Sequence, residues 1–399
     1  MIKFINNFYI IPIFSYIIYS LYYYYFKKYK RFRGIDSSMI TTNDKKYTNI
    51  FYTTFTYDFE NEKFINYFKN KLLDNLNKYT IFRYNINPFD NSQYFYNNTK
   101  SEDYINDILF ITNDPPKFEE IINIMIKKNL SVVFIICKNK KELFYGNNHI
   151  IIDGINSIKN FQYLCENLLL KKNLIPNFYY FPIFTELMIC NKIPYLLNNI
   201  CESQLQFCED WTKFDNIFNN SYKTSTNYIK NIKNKIEDII KSKIKFSNVI
   251  FSLIITKFFN SLIKKNKLSV GIIVAFNNNY SFNNYSVINF YVNKHENWNN
   301  LDFYTKIIYI LNQFDEYINK YGKQQAIFNY LISNIYGIKS QKKSVDLLIG
   351  NLPTQYDIKM NNENITLNNF YLPLISFPIY STCFTTNNKF LLYNTIRTK

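Results

Sequence analysis

Stretches with apolar residues at every second position alternate irregularly with stretches of helical period along most of this chain, and that alternation constrains its fold most. Lys46–Phe59 (KYTNIFYTTFTYDF) is aromatic and β-branched, the pattern of a strand. Asn61–Tyr79 then places Phe64, Ile65, Phe68, Leu72, Leu73 and Leu76 at helical spacing. Ser131–Cys137 and the stretch from Glu142 predict two strands joined by a polar KNKK turn. After Asp153 and Gly154 an amphipathic helix carries Ile155, Ile158, Phe161, Leu164, Leu168 and Leu169 on one face. The mixture resumes later with helices over 248–263, 300–321 and 324–336. Strands are expected over 268–276, 287–292, 345–350, 379–386 and 390–396. Strands and helices in this order imply α/β layers with mixed sheets, and 399 residues suffice for two domains or half-domains. Between the two mixtures the chain loses its period and carries Pro176, Pro182 and Pro194, which reads as a crossover whose apolar part, Phe178–Leu197, could touch a bilayer.

The beginning of the sequence is different in kind. Phe8–Phe26 (FYIIPIFSYIIYSLYYYYF) has no charge, and KKYKRFR follows it. The uncharged stretch is long enough to cross a hydrocarbon core as a helix. The positive charges after it would keep the rest of the chain on the cytosolic side. Its many tyrosines equally suit a helix lying in the membrane surface, and a buried core helix is the third possibility. A net charge of +17 suits an anionic partner such as a membrane surface or a phosphate-bearing co-substrate. Because Asn, Ile and Lys are abundant throughout, lysine is also the default surface residue here. No arginine-rich stripe supports nucleic-acid binding. Six cysteines without a CxxC pair, and only His149 and His295, assemble no familiar zinc spacing. The cysteines read as reduced, mostly buried thiols.

The chemistry concentrates in Gly146–Ser157, GNNHIIIDGINS, which holds one of two histidines and two of seven glycines. A polar Asn-Asn-His ends a strand, three isoleucines follow, and Asp-Gly opens a helix. A neutral imidazole in such a loop is a natural base for a hydroxyl near neutral pH. Asp153 could pair with an arginine and hold the loop, and Gly154 permits a close turn. A buried, hydrogen-bonded histidine ahead of an ordinary helix start is the competing reading of this window. His295, in a polar stretch, reads as a surface residue, and Trp211 and Trp298 as packing residues.

NHIIIDG resembles the HHxxxDG motif of the superfamily that includes chloramphenicol acetyltransferase, the condensation domains of peptide synthetases and the wax ester synthase/diacylglycerol acyltransferases. The resemblance implies that His149 is the catalytic base, Asp153 a structural aspartate and Gly154 the motif glycine. Asn148 replaces the first histidine. Ser247–Leu253 (SNVIFSL) is similar to the NDVVLA segment of wax ester synthases, with Asn248 for the aspartate. Ile272–Val292 is similar to the family's strand-and-loop stretch, with Asn289 at the asparagine. Val345–Thr354 (VDLLIGNLPT) resembles the SNVPGP segment through Asn351 and Pro353, with Gly350 in place of serine. Arg31–Met39 and Thr80–Ile86 resemble the family's opening segments. The Asp-Phe-Gly-Trp-Gly motif of plant alcohol acyltransferases is absent.

This resemblance implies two chloramphenicol-acetyltransferase-like half-domains with mixed sheets and a tunnel between them, preceded by the N-terminal hydrophobic helix. The chain then divides into 1–33, anchor and basic flank; 34–170, the half carrying the motif; 171–235, crossover; and 236–399, the second half. The implied reaction moves a fatty acyl group from acyl-CoA, a co-substrate, to a lipid alcohol or diacylglycerol. No cofactor is bound tightly, and no nucleic acid is a partner. Asn351, Ser381 and Thr382 are the candidates for holding the oxyanion or substrate. The expected location is an endoplasmic-reticulum-like membrane with the catalytic body facing the cytosol. Two alternatives remain: a catalytically degenerate, membrane-tethered acyl-lipid binder, and an amide-forming condensation enzyme.

Overall fold

A computed structural model describes residues 50–77, 80–87, 93–149, 151–166, 217–261, 265–275, 285–322, 324–326, 345–352, 357–371, 378–386 and 389–397, with Ser15, Ile18 and 29–31. In chain order the elements of the first half are β1 (Tyr29–Arg31), β2 (Ile50–Tyr57), α1 (Asn61–Asn75), β3 (Tyr84–Ile86), β4 (Gln93–Tyr96), α2 (Ser101–Ile108), β5 (Leu109–Thr112), α3 (Phe118–Lys127), β6 (Val132–Cys137), β7 (Glu142–Asn148) and α4 (Gly154–Glu166). The second half has β8 (Ile217–Ser225), α5 (Thr226–Ile240), α6 (Phe246–Ser261), β9 (Lys267–Ala275), β10 (Tyr285–Asn293), α7 (Phe303–Tyr317), β11 (Leu347–Leu352), β12 (Asp357–Met360), β13 (Glu363–Tyr371), β14 (Ile379–Thr386) and β15 (Lys389–Arg397).

Two six-stranded mixed sheets organise these elements, one in the order β12-β13-β2-β7-β6-β5 and the other β10-β9-β11-β14-β15-β8. Neither sheet comes from one continuous stretch of chain. The hairpin β12–β13, late in the sequence, pairs antiparallel with β2 in the first sheet. β8 and the start of α5, which the sequence placed in the crossover, belong to the second half, β8 lying beside β15 in its sheet. The apolar run Phe178–Leu197 lies outside the described residues, as does the N-terminal stretch apart from Ser15 and Ile18, which are helical and exposed. Its basic flank contributes β1, which pairs with β4 in a small three-stranded sheet. Among the described residues no helix is long and apolar enough to cross a membrane.

Strand alternation decides which side chains each sheet buries. Phe51, Phe55 and Tyr57 of β2 point to one face, where α1 and α4 cover them; Phe55 stacks on Phe161 of α4 with ring centroids 4.0 Å apart. Ile50 points to the opposite face, under Ile121, Ile122 and Met125 of α3. There Gly146 of β7 is a packing requirement, since a Cβ would stand 2.7 Å from Val133 and 3.0 Å from Ile121. In the second sheet, Leu347, Ile349, Ile379 and Cys383 face Ile250, Ile254 and Phe258 of α6. Their neighbours Leu348, Leu352, Tyr380, Phe384 and Leu391 face the other way and join the core of the first half. The two halves therefore share one buried apolar cluster. Cys137, Cys165 and Cys383 are buried, free thiols.

Candidate active site

His149 directly follows the last residue of β7, and the backbone there is held from both sides. The N–H of Asn148 donates to the carbonyl of Ser131 (2.8 Å), while the Asn148 carbonyl accepts from the N–H groups of Ile151 (3.0 Å) and Ile152 (3.2 Å), closing the turn. Asp153 then caps α4. Its carboxylate accepts from the backbone N–H of Asn156 at 2.7 Å and from the Asn156 side-chain amide at 3.0 Å. This is the N-cap arrangement that satisfies an otherwise orphaned helix donor. The arginine whose side chain is described, Arg83, is engaged elsewhere, by Asn77, Ser101 and the carbonyls of Asn97 and Thr99. Gly154 is demanded by a close approach, because a Cβ would lie 2.8 Å from the ring of Phe370 in β13.

The His149 side chain is desolvated. The residue is 8 % exposed, and its ring meets Phe51 edge-on with centroids 5.4 Å apart. Burial pulls its pKa down from 6.5 to about 4, with a hydrogen bond to its own backbone acting in the opposite direction. The imidazole is consequently uncharged at neutral pH.

The remaining candidates sort by strand face. Ser381 is turned to the α6 side, and its hydroxyl donates to the Asn394 side chain at 2.7 Å. Asn351 also points there, where its amide oxygen accepts from the Cys383 thiol at 3.4 Å. Thr382 is buried on the opposite face, the one shared with Tyr380 and Phe384 and packed on the first half. Tyr380, which sequence reasoning did not single out, stands beside it. Burial pushes its phenol up to about 12, and a hydrogen bond with Thr382 counters this. Gly350 makes room for that hydroxyl, which would lie 2.9 Å from a Cβ there. Asn248 donates to Asp315 at 2.6 Å and ties α6 to α7. Asn289 sits opposite Gly271 in β10, its backbone N–H donating to Gln325 at 3.0 Å. Pro353 and Trp211 lie outside the described residues. Trp298 is a packing residue bonded to Asn260 at 2.8 Å, and the His295 ring is half-buried against Tyr309.

Solved structures share the overall fold of this chain. The chain is similar to the trichothecene 15-O-acetyltransferase of Fusarium sporotrichioides (10 % identity, 92 % of this chain and 91 % of that one, TM-score 0.63). It is also similar to the starter condensation domain of rhizomide synthetase, solved as a mutant with C8-CoA and Leu-SNAC (7 %, 93 % and 89 %, 0.62). A third likeness is to the epimerization domain of tyrocidine synthetase B (10 %, 90 % and 88 %, 0.58). The fold is that of the condensation-domain, chloramphenicol-acetyltransferase-like proteins. Identities this low carry the fold and nothing finer. No protein-family model matches the sequence, and no curated protein does.

Proposed function

We propose that this protein is an acyltransferase of the condensation-domain fold that moves a fatty acyl group from acyl-CoA to the hydroxyl of a lipid alcohol or diacylglycerol. The observation that carries the reading is His149: a desolvated, neutral imidazole in the NHIIIDG loop, packed on Phe51 of the cluster the two halves share. Similarity to an O-acetyltransferase and to a condensation domain solved with an acyl-CoA supports acyl transfer. The lipid acceptor rests on the uncharged N-terminal stretch and its basic flank.

In this mechanism His149 accepts the acceptor's hydroxyl proton as the oxygen attacks the thioester carbonyl. The tetrahedral intermediate collapses, the carbon–sulfur bond breaks, and the imidazolium returns the proton to the departing thiolate. Charge on the intermediate needs a donor. Thr382 and Tyr380, on the face turned to the first half, suit that role better than Ser381 and Asn351, whose side chains face α6. Asp153 acts through the loop, by fixing the start of α4.

The test is ester formation by membranes carrying the full chain, with labelled palmitoyl-CoA and a panel of hexadecanol, diacylglycerol and sterol. Wild type should form a lipid ester, and His149→Ala should lose at least about a hundredfold in rate. Product that persists in the mutant would remove His149 as the base. No product with any acceptor would favour a degenerate acyl-lipid binder.

A further inference from the structure

The strand that reaches His149 from behind comes from the far end of the chain, and it is irregular where it matters. In β13, Leu367 pairs with Phe55 and Asn369 with Thr54, so Asn368 is an extra, unmatched residue, a β-bulge. Leu367 and Phe370 are both buried in the same core, although an odd spacing of three should send them to opposite faces. The bulge supplies the missing half-period. In an unbroken register Phe370 would oppose Tyr52 and point toward α3. With the bulge it opposes Thr53 and points to the face of Phe51 and Phe55.

Three contacts follow from that aim. Phe370 lies 5.4 Å from the ring of Phe51. Phe51 in turn meets the His149 ring edge-on at 5.4 Å. On its other side Phe370 occupies the space that a Cβ at Gly154 would need. One aromatic ring thus braces both the wall against the histidine and the first residue of the helix after the histidine's loop. The bulge itself is anchored twice. The Asn368 side chain donates to Glu142 of β7 at 2.9 Å, and its carbonyl accepts from Tyr393 of β15 in the second sheet at 3.2 Å.

We propose that Phe370, aimed by the bulge at Asn368, is a positioning residue for His149, through which the second half of the chain sets the placement of the imidazole. This deepens the acyltransferase reading, and its first test does not need that activity. Because the chain contains two histidines, ring-nitrogen NMR of the full-length protein resolves His149 against His295 as an internal reference. In Phe370→Ala the cavity lets water toward the ring. The His149 signals should move and its titration midpoint should climb from about 4 toward 6.5, with His295 unchanged. Phe370→Leu keeps most of the bulk and secures the measurement if the alanine variant does not fold; it should displace the His149 signals less, in the same direction. Unchanged His149 signals and midpoint in either folded variant overturn the proposal. In the ester assay Phe370→Ala should lower kcat about tenfold or more and leave KM within about twofold. A wild type without acyl transfer would end the functional reading, while NMR shifts that still follow Phe370 would leave this assignment standing.

Discussion

A histidine stripped of water keeps its lone pair at pH values where a solvated one is half protonated, and His149 carries two consequences of that. The first concerns stability. Its folded pKa, about 4, lies below the unfolded 6.5, so the unfolded chain binds the extra proton between those values. Stability from this residue is complete above about pH 6.5 and declines as pH falls toward 4, by roughly 3 kcal/mol in total. Urea midpoints at pH 7 and pH 4.5 should therefore drop more in wild type than in His149→Gln. The second concerns activity: the acid limb of kcat/KM should sit well below the pH of a free imidazole. At this scale the sequence was informative where residues are scarce. In a chain with two histidines and seven glycines, His149 and Gly154 stand out. Phe51, Phe370 and Tyr380 could not, being lost among 38 phenylalanines and 37 tyrosines. Ser381 and Thr382, offered together as candidates, are adjacent in β14 and so face opposite ways.

Among elements, those with strong periodicity were legible. Helices α1, α4, α6 and α7 and strands β2, β6, β7, β9, β10, β11, β14 and β15 appear within a few residues of where the apolar pattern places them. Ten elements of both kinds went unread. β12 and β13 (DIKM and ENITLNNFY) are rich in Asn and charge, because one face of the hairpin stays partly accessible and a bulge breaks its alternation. β8 (IFNNSYKTS) is an edge strand with the same polar character. A period reveals that a segment is a strand and is silent about its neighbour, so the return of β13 to β2 was beyond reach. The seating of α4 against β13 is testable. Gly154→Ala must push a Cβ against Phe370, whose ring is wedged against Phe51, and should cost about 1–3 kcal/mol in chemical denaturation. An unchanged midpoint would mean that α4 and β13 separate easily.

For the whole molecule, two sheets that exchange a hairpin and share a buried cluster form a single cooperative body. Phe51 and Phe55 from the start of the described body touch the same core as Phe384 and Leu391 from its end. Truncation after Leu352 should therefore leave the remaining chain without a cooperative unfolding transition, although it keeps every residue of NHIIIDG. A sigmoidal melt of that fragment would show that the first sheet stands without its donated strands. The bilobed α/β architecture was legible from the irregular mixture of periods and from the motif. The exchange that welds its halves was not, since it depends on pairing between residues some 300 positions apart, Ile365 against Tyr57.

That same pairing has a meaning in time as well as in space. During synthesis β2 emerges first, and the strand that closes its free edge, residues 363–371, is made some 300 residues later. Throughout that interval a flank of unpaired backbone rich in aromatic and β-branched residues faces the cell, the kind of edge on which other chains nucleate. The nascent protein is thus open to misassembly at that edge until β13 arrives to seal it.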